Sequence, residues 1–194
     1  MNALVFLYDK FLQRPLGGLD FNRANKPRRL PVVLNRSEVQ AIFNQLDGRN
    51  RLLFALLYGS GLRITECLRL RVKDINFDAG SLTVHDGKGG KDRVTLLPSS
   101  LHDSLHQQIE ESLPIQLEDN QRGVGPSLPG VLGTKYPNAF RQPAWMLLFP
   151  SSGLCLHPHT GINCRHHLHD SVPRKALKIA VANSGNAVTA EAVC

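Results

Sequence analysis

Apolar positions recur near helical spacing in several stretches of the chain. Leu4, Leu7, Phe11 and Leu12 predict the end of a helix over residues 1–13. Ser37 opens a second helix, with Ser37 and Gln40 at capping-box spacing and Val39, Ile42, Phe43 and Leu46 on one face. Arg51 to Tyr58 is apolar almost all round, which predicts a central, buried helix broken by Gly59-Ser60-Gly61. Another helix starts near Leu62 to Thr65 and turns Cys67, Leu68 and Leu70 inward. Two short strands follow, Ser81–His85 and Arg93–Leu97, joined as a hairpin by Gly87-Lys88-Gly89-Gly90-Lys91. Ser99 caps a helix with Leu101, Leu105 and Ile109 in phase. Residues 112–143 carry Pro114, Pro126, Pro129 and Pro137 and read as a long loop. Trp145 to Phe149 and Leu154 to His157 predict two further strands. Asp170 caps a last helix through about Ala182, with Val172, Ala176, Leu177 and Val181 on one side and Pro173 in the tolerant first turn. Ser184 to Cys194 is small and polar and is expected to fray. The fold class expected is mainly α with a small antiparallel β-sheet (α+β).

The length, 194 residues, suits one domain or one plus a fragment. A hydrophobic fraction of 42% with 20% charged residues fits a soluble globular chain. No apolar run approaches the roughly 18 residues of a membrane span. The start, MNALVFLYDKF, lacks a basic leader and a cleavage site, so a secretory signal and a membrane partner are not expected. The net charge is +7, which favours a polyanion as partner. Pro15 to Pro31 reads as an extended basic linker in which Lys26, Arg28 and Arg29 either touch nucleic acid or are simply solvated.

Four cysteines at irregular spacing, without a CxxC pair, are expected as reduced thiols. Cys155, His157, His159, Cys164, His166, His167 and His169 crowd into fifteen residues. Zinc could use four such ligands, but the spacing matches no finger or ribbon template. A histidine-rich hairpin on a basic surface and a nucleic-acid contact are the other readings.

The segment Tyr58-Gly-Ser-Gly-Leu-Arg63-Ile-Thr-Glu66 places an arginine at a helix start just after a glycine break. Such a side chain can point into a cleft, and its planar fork suits a phosphate. Glu66, one turn later, can hold the guanidinium; a routine surface ion pair is the alternative. Lys88, on the glycine-rich tip Asp86 to Arg93, can reach a phosphodiester or protonate a leaving oxygen. The tip is no P-loop, because GxxxxGK[ST] is absent.

Taken together, GLRITECLRLRVKDIN followed by the GKGGKDR hairpin and LLPSS resembles the tyrosine recombinase, or phage-type integrase, family. Lys135-Tyr-Pro-Asn-Ala139, Trp145 to Ser152, Arg165-His-His-Leu-His169 and Lys26 to Leu34 are similar to the integron integrase branch. The resemblance implies DNA integration and site-specific recombination. A tyrosine attacks a DNA phosphodiester to form a 3′-phosphotyrosyl link; two arginines and a histidine stabilise the phosphorane, and a lysine protonates the 5′-oxygen. No metal or other cofactor is implied. Arg63 and Lys88 match the catalytic positions, with Glu66 supporting. Lys26, Arg28, Arg29, Lys91 and Arg93 are candidate DNA contacts. Trp145, His166 and His167 are candidates for stacking on unpaired bases; a core role is the alternative for Trp145. The partners implied are DNA, as a double-stranded attachment site or a folded single-stranded cassette site, and other integrase protomers, in a bacterial cytoplasm.

The sequence also departs from the family. The residues three after its eight histidines are Lys88, Leu105, Ile109, Thr160, Ile162, His169, Asp170 and Val172, so no His-x-x-Arg motif occurs. The tyrosines are Tyr8, Tyr58 and Tyr136, upstream of where the nucleophile belongs. Residues 1–31 then correspond to the last helix of an N-terminal DNA-clamping domain plus linker, 32–183 to a partial catalytic domain, and 184–194 to a divergent tail. This pattern predicts a truncated, catalytically dead chain and an apolar patch over Leu52–Leu57 and Leu68. A non-enzymatic DNA-binding module and a zinc-stabilised interaction module are the rival readings.

Overall fold

The computed structural model describes residues 3–14, 33–85, 87, 90–157 and 160–185. Lys26, Arg28, Arg29, Lys88, His159 and the tail from Asn186 lie outside the described residues. The chain divides into two compact units, 1–31 and 32–194. In the first, α1 (Ala3–Phe6) runs into a π-helical turn, Leu7–Phe11.

The second unit is helical with two small antiparallel sheets. Helix α2 (Arg36–Phe43) starts earlier than its pattern predicted. Asn35, not Ser37, is the cap. Its side chain accepts from the Glu38 N–H at 2.9 Å, and Glu38 accepts from the Asn35 N–H at 2.7 Å. Helix α3 (Gly48–Ser60) is central, with Leu53 and Leu56 fully buried. It stops at Gly61, whose φ of 62° is the left-handed conformation that glycine adopts without penalty. Tyr58, expected to be buried with its helix, is 69% exposed and meets Phe43 edge-on. Helix α4 is Ile64–Leu68.

Strands β1 (Ile75–Asn76), β2 (Ser81–Val84) and β3 (Arg93–Leu96) form one sheet in that order; β1 was not foreseen. Leu82 and Val84 point into the core, whereas Val94 and Leu96 face outward. Helix α5 (His102–Gln121) follows a 3-10 turn at Ser99–Leu101. It runs straight through Pro114, into the stretch that its prolines mark as loop. A helix-interior proline costs about 3 kcal/mol. Tertiary partners offset this: Gln116 donates to the carbonyls of Phe140 at 2.8 Å and Gln142 at 3.0 Å, and Asp119 pairs with Arg165. A further short helix, α6, is Leu132–Lys135.

The expected strand Trp145–Phe149 is not one. Pro143–Trp145 is a 3-10 turn, and Met146 to Phe149 is wholly buried and bends at Leu148 and Phe149. Its backbone bonds to residues 70–72, through Leu148 N–H to Leu70 O and Val72 N–H to Met146 O, with one isolated bridge between Arg71 and Leu147. Strands β4 (Pro150–Leu156) and β5 (Asn163–His167) form the second antiparallel pair. Helix α7 (Ser171–Asn183) begins after Asp170, whose carboxylate bonds Arg174 rather than capping the backbone. Val172, placed on its inner face by periodicity, is 40% exposed.

One core joins Leu52, Leu53 and Leu56 of α3 to Leu68, Leu82, Leu105, Phe149 and Leu168. Each fully buried leucine contributes roughly 1.5–3 kcal/mol. A second core seats Leu177, Ala180 and Val181 of α7 against Ile42 and Leu46. These contacts correct the expected apolar patch: Leu52, Leu53, Leu56 and Leu68 are at most 5% exposed, because β2, α5 and residues 148–149 cover them. Among the described residues no helix is long and apolar enough to cross a membrane.

Candidate nucleic-acid interface

The break at Gly61 lets the chain leave α3 and start α4 at once, and Arg63 occupies the position before the first turn of α4. Its side chain is 56% exposed. Glu66, one turn on, is buried and accepts four hydrogen bonds. Oε2 takes the Arg63 N–H and Arg93 Nη2, both at 2.7 Å. Oε1 takes Arg63 Nη1 at 2.9 Å and Arg93 Nη1 at 2.8 Å. Four donors saturate a carboxylate. The Arg93 hydrogen bonds, with those of Arg63, hold the Glu66 carboxyl down to about 2 against the cost of burial. Arg93, expected to face DNA, commits its fork to Glu66. Arg63 retains guanidinium donors on the solvent side.

The same carboxylate anchors the hairpin. Gly87 is buried, and a Cβ there would stand 2.8 Å from the Lys91 carbonyl oxygen, 3.0 Å from Arg93 Nη1 and 3.8 Å from Glu66 Oε1. No side chain fits that approach. The Gly87 N–H donates to the Lys91 carbonyl at 3.1 Å, and Lys91 itself is exposed. The hairpin base therefore lies against the group that holds Arg63.

Glu66 also edges a cleft of about 690 Å³ lined by Arg71, Lys73, His85, Trp145, His157, His166 and His167 among others. Trp145 is half-buried at its wall. Lys73 Nζ lies 4.6 Å from the centre of its ring and the Arg71 guanidinium 5.7 Å, both in cation–π range. Arg71 is largely buried. It donates to the carbonyls of Trp145 and Ser127, each at 2.7 Å, and burial lowers its pKa to about 10, still fully charged at neutral pH. His85 Nδ1 meets Asp92 at 2.7 Å and its Nε2 lies 3.4 Å from Asp74.

Also lining the cleft, the His166 and His167 rings tilt against each other, centroids 4.1 Å apart. His166 Nδ1 sits 2.9 Å from the Ser127 hydroxyl. Loss of water around the ring, then the charges of His167, His157, Arg69 and Arg71, push His166 down to about 4. Arg165, just before it, is buried and forks onto Asp119, with Nη2 to Oδ1 at 2.7 Å and Nε on Oδ2; Nη1 donates to Ser151 O at 2.8 Å. This pair ties β5 to α5 and fixes where the histidines stand.

Thus the structure gathers Glu66, Trp145, His166 and His167 around one cleft, with Arg63 attached through Glu66. Arg71, Lys73, His85 and the Asp119–Arg165 pair escaped sequence reasoning; only the Arg71/Asp74 spacing, which repeats that of Arg63/Glu66, signalled any of them. Among the described residues no group of three or more His, Cys, Asp or Glu is placed to hold a metal ion.

These features belong to a known class. The phage integrase family profile matches residues 32–189, and the chain belongs to that family, the tyrosine recombinases. It is 42% identical over 185 residues to integrase/recombinases of Escherichia coli and Pseudomonas aeruginosa, covering 94% of this chain and 55% of each relative. It is 39% identical over 103 residues to tyrosine recombinase XerA of Thermococcus kodakarensis, covering 50% of this chain and 36% of that one. The chain spans about half the length of the relatives it matches over most of its own length. Its fold is that of XerA recombinase, with a TM-score of 0.55 at 18% identity over 94% of this chain and 53% of the other. XerH site-specific recombinase, solved in a post-cleavage complex with a palindromic difH substrate, aligns with a TM-score of 0.50 at 21% identity, covering 85% and 40%.

Proposed function

We propose that this chain is a DNA-binding portion of an integron-type integrase, and that these 194 residues do not cleave a strand by themselves. The single observation that carries the reading is Arg63: half exposed, at a helix start, oriented by a carboxylate that four donors saturate. A guanidinium fixed in this way can grip a phosphate with its free donors at little further entropic cost. Lys88, on the hairpin whose base packs at Glu66, is the second phosphate ligand, with Lys91 close to it in the sequence; Lys26, Arg28 and Arg29 of the basic linker are further DNA contacts. Trp145, with His166 and His167 in the same cleft, suits bases that stand out of a folded single strand. This favours the integron branch, as do the sequence segments around these residues. The recombinase–DNA complex among the fold's neighbours supports DNA as partner.

Cleavage is not expected because the sequence holds no His-x-x-Arg and no tyrosine after Tyr136. Without the nucleophile there is no covalent step, and a missing transition-state arginine alone costs about 10²–10³ in rate. The zinc reading gains no support from the described part of the Cys155–His169 segment.

Anisotropy titrations of labelled DNA across a salt series test the binding. Affinity is expected to fall steeply with salt, and Arg63→Ala to weaken it and flatten the log–log slope by about one while leaving the fold intact. An unchanged slope would defeat the assignment of Arg63. A denaturing gel tests the absence of cleavage: a covalent protein–DNA adduct would defeat it. Lys88→Ala is expected to leave that gel unchanged.

A further inference from the structure

The cysteines of the histidine-rich hairpin are left unexplained by DNA binding. Cys155 on β4 and Cys164 on β5 are register partners in an antiparallel ladder. Directly opposite residues share a face, with Cα atoms about 4.5–5.5 Å apart. That lies inside the roughly 4.4–6.8 Å window a disulfide needs. The sulfurs are close enough that the Cys155 thiol acts on Cys164 as both a hydrogen-bond and a charge neighbour. Both are free thiols.

The two differ in access. Cys155 is exposed, so a dissolved oxidant meets it first; Cys164 is 7% exposed and stands beside it. Cys67 is fully buried in the main core, its thiol directed at the Leu53 carbonyl. Burial pushes the Cys67 thiol well above its ordinary range, and burial with the Cys155 neighbour pushes Cys164 up to about 11. Neither of these two is the first nucleophile.

We propose that Cys155 and Cys164 form a reversible cross-strand disulfide in response to a hydroperoxide, a modification site on the β4–β5 hairpin that carries His166 and His167. The Cys155 thiolate attacks the terminal peroxide oxygen, breaking the O–O bond; the leaving alkoxide takes up a proton as the alcohol. Cys164 sulfur then attacks the resulting sulfenic acid, the S–S bond forms, and hydroxide leaves as water with the Cys164 proton. Two thiols and one hydroperoxide give one disulfide, one alcohol and one water. The bond joins β4 to β5 next to Arg165, the residue that fixes β5 to α5.

The test uses the whole reduced chain, treated with one equivalent of tert-butyl hydroperoxide, then denatured and alkylated. Alkylated thiols are expected to fall from the four of the sequence to two, with a linked peptide pair containing Cys155 and Cys164. Dithiothreitol should restore four. Cys155→Ser should leave Cys164 alkylated after the same treatment, and Cys67→Ser should still form the linked pair. The proposal is overturned if Cys155 proceeds to sulfinic acid with Cys164 still free. It is equally overturned if the product is a dimer bridged through Cys155.

Discussion

Replacing Glu66 by glutamine removes one charge from the point where Arg63, Arg93 and the hairpin base meet. The folded carboxyl titrates near 2, against an ordinary value of 4.5, so its ionised form is favoured in the native state. The sign follows directly: the stabilisation is complete above pH 4.5 and is lost as pH falls towards 2. The full gap of 2.5 pKa units corresponds to about 3 kcal/mol at pH 7. By pH 3.5 the wild-type chain should have surrendered about 1.4 kcal/mol of it, while the glutamine variant has nothing to surrender at this position. The assay is urea unfolding of both chains at pH 7 and at pH 3.5. Other carboxylates titrate in both and cancel in the difference. A variant about 3 kcal/mol weaker at pH 7, with the gap narrowing to about 2 kcal/mol at pH 3.5, is expected. Parallel pH dependences would refute the claim that Glu66 is the charged hub of this site.

Asp119→Ala strands the buried Arg165 guanidinium and should cost about 3–5 kcal/mol in urea unfolding; a loss below about 1 kcal/mol would mean that β5 is held by something else. Trp145→Ala should weaken binding to a hairpin with unpaired bases by about 1–3 kcal/mol and leave blunt duplex affinity unchanged, since Arg71 keeps its hydrogen bond to the residue-145 carbonyl when the ring is lost; equal losses on both DNAs would remove the stacking role. The His166 ring should stay neutral down to about pH 5 in a histidine NMR titration; a midpoint near its ordinary 6.5 would show that the ring is freely hydrated. Its protonation is disfavoured in the folded chain, so this residue costs stability only as pH falls from 6.5 towards 4.

Much of the secondary structure was legible because it is local. The apolar run of α3, the glycine stop at Gly61, the β2–β3 hairpin and the inward face of α7 at Leu177 and Val181 follow from periodicity and turn chemistry read a few residues at a time. The Arg63–Glu66 pair is legible for the same reason, being one helical turn apart. Where neighbours in space decide, the pattern misled. Pro114 signals a loop, yet α5 continues because Gln116 and Asp119 find partners on residues 140–142 and 165. Trp145 to Phe149 has strand composition, yet its backbone is bonded to residues 70–72 and, at Phe149, to Leu168, and it forms no regular strand among the described residues.

By itself, then, the sequence determined the helix and hairpin inventory, the basic charge, the family motifs and the absence of a His-x-x-Arg and a late tyrosine. Only the tertiary structure decided that Arg93, 27 residues away, shares Glu66 with Arg63, that Lys73 lies over Trp145, and that Asp119 receives Arg165 from 46 residues on. The reason is physical. Periodicity reports which side of an element is dry, but a buried charge chooses its partner by geometry, and that geometry exists only once the elements have packed.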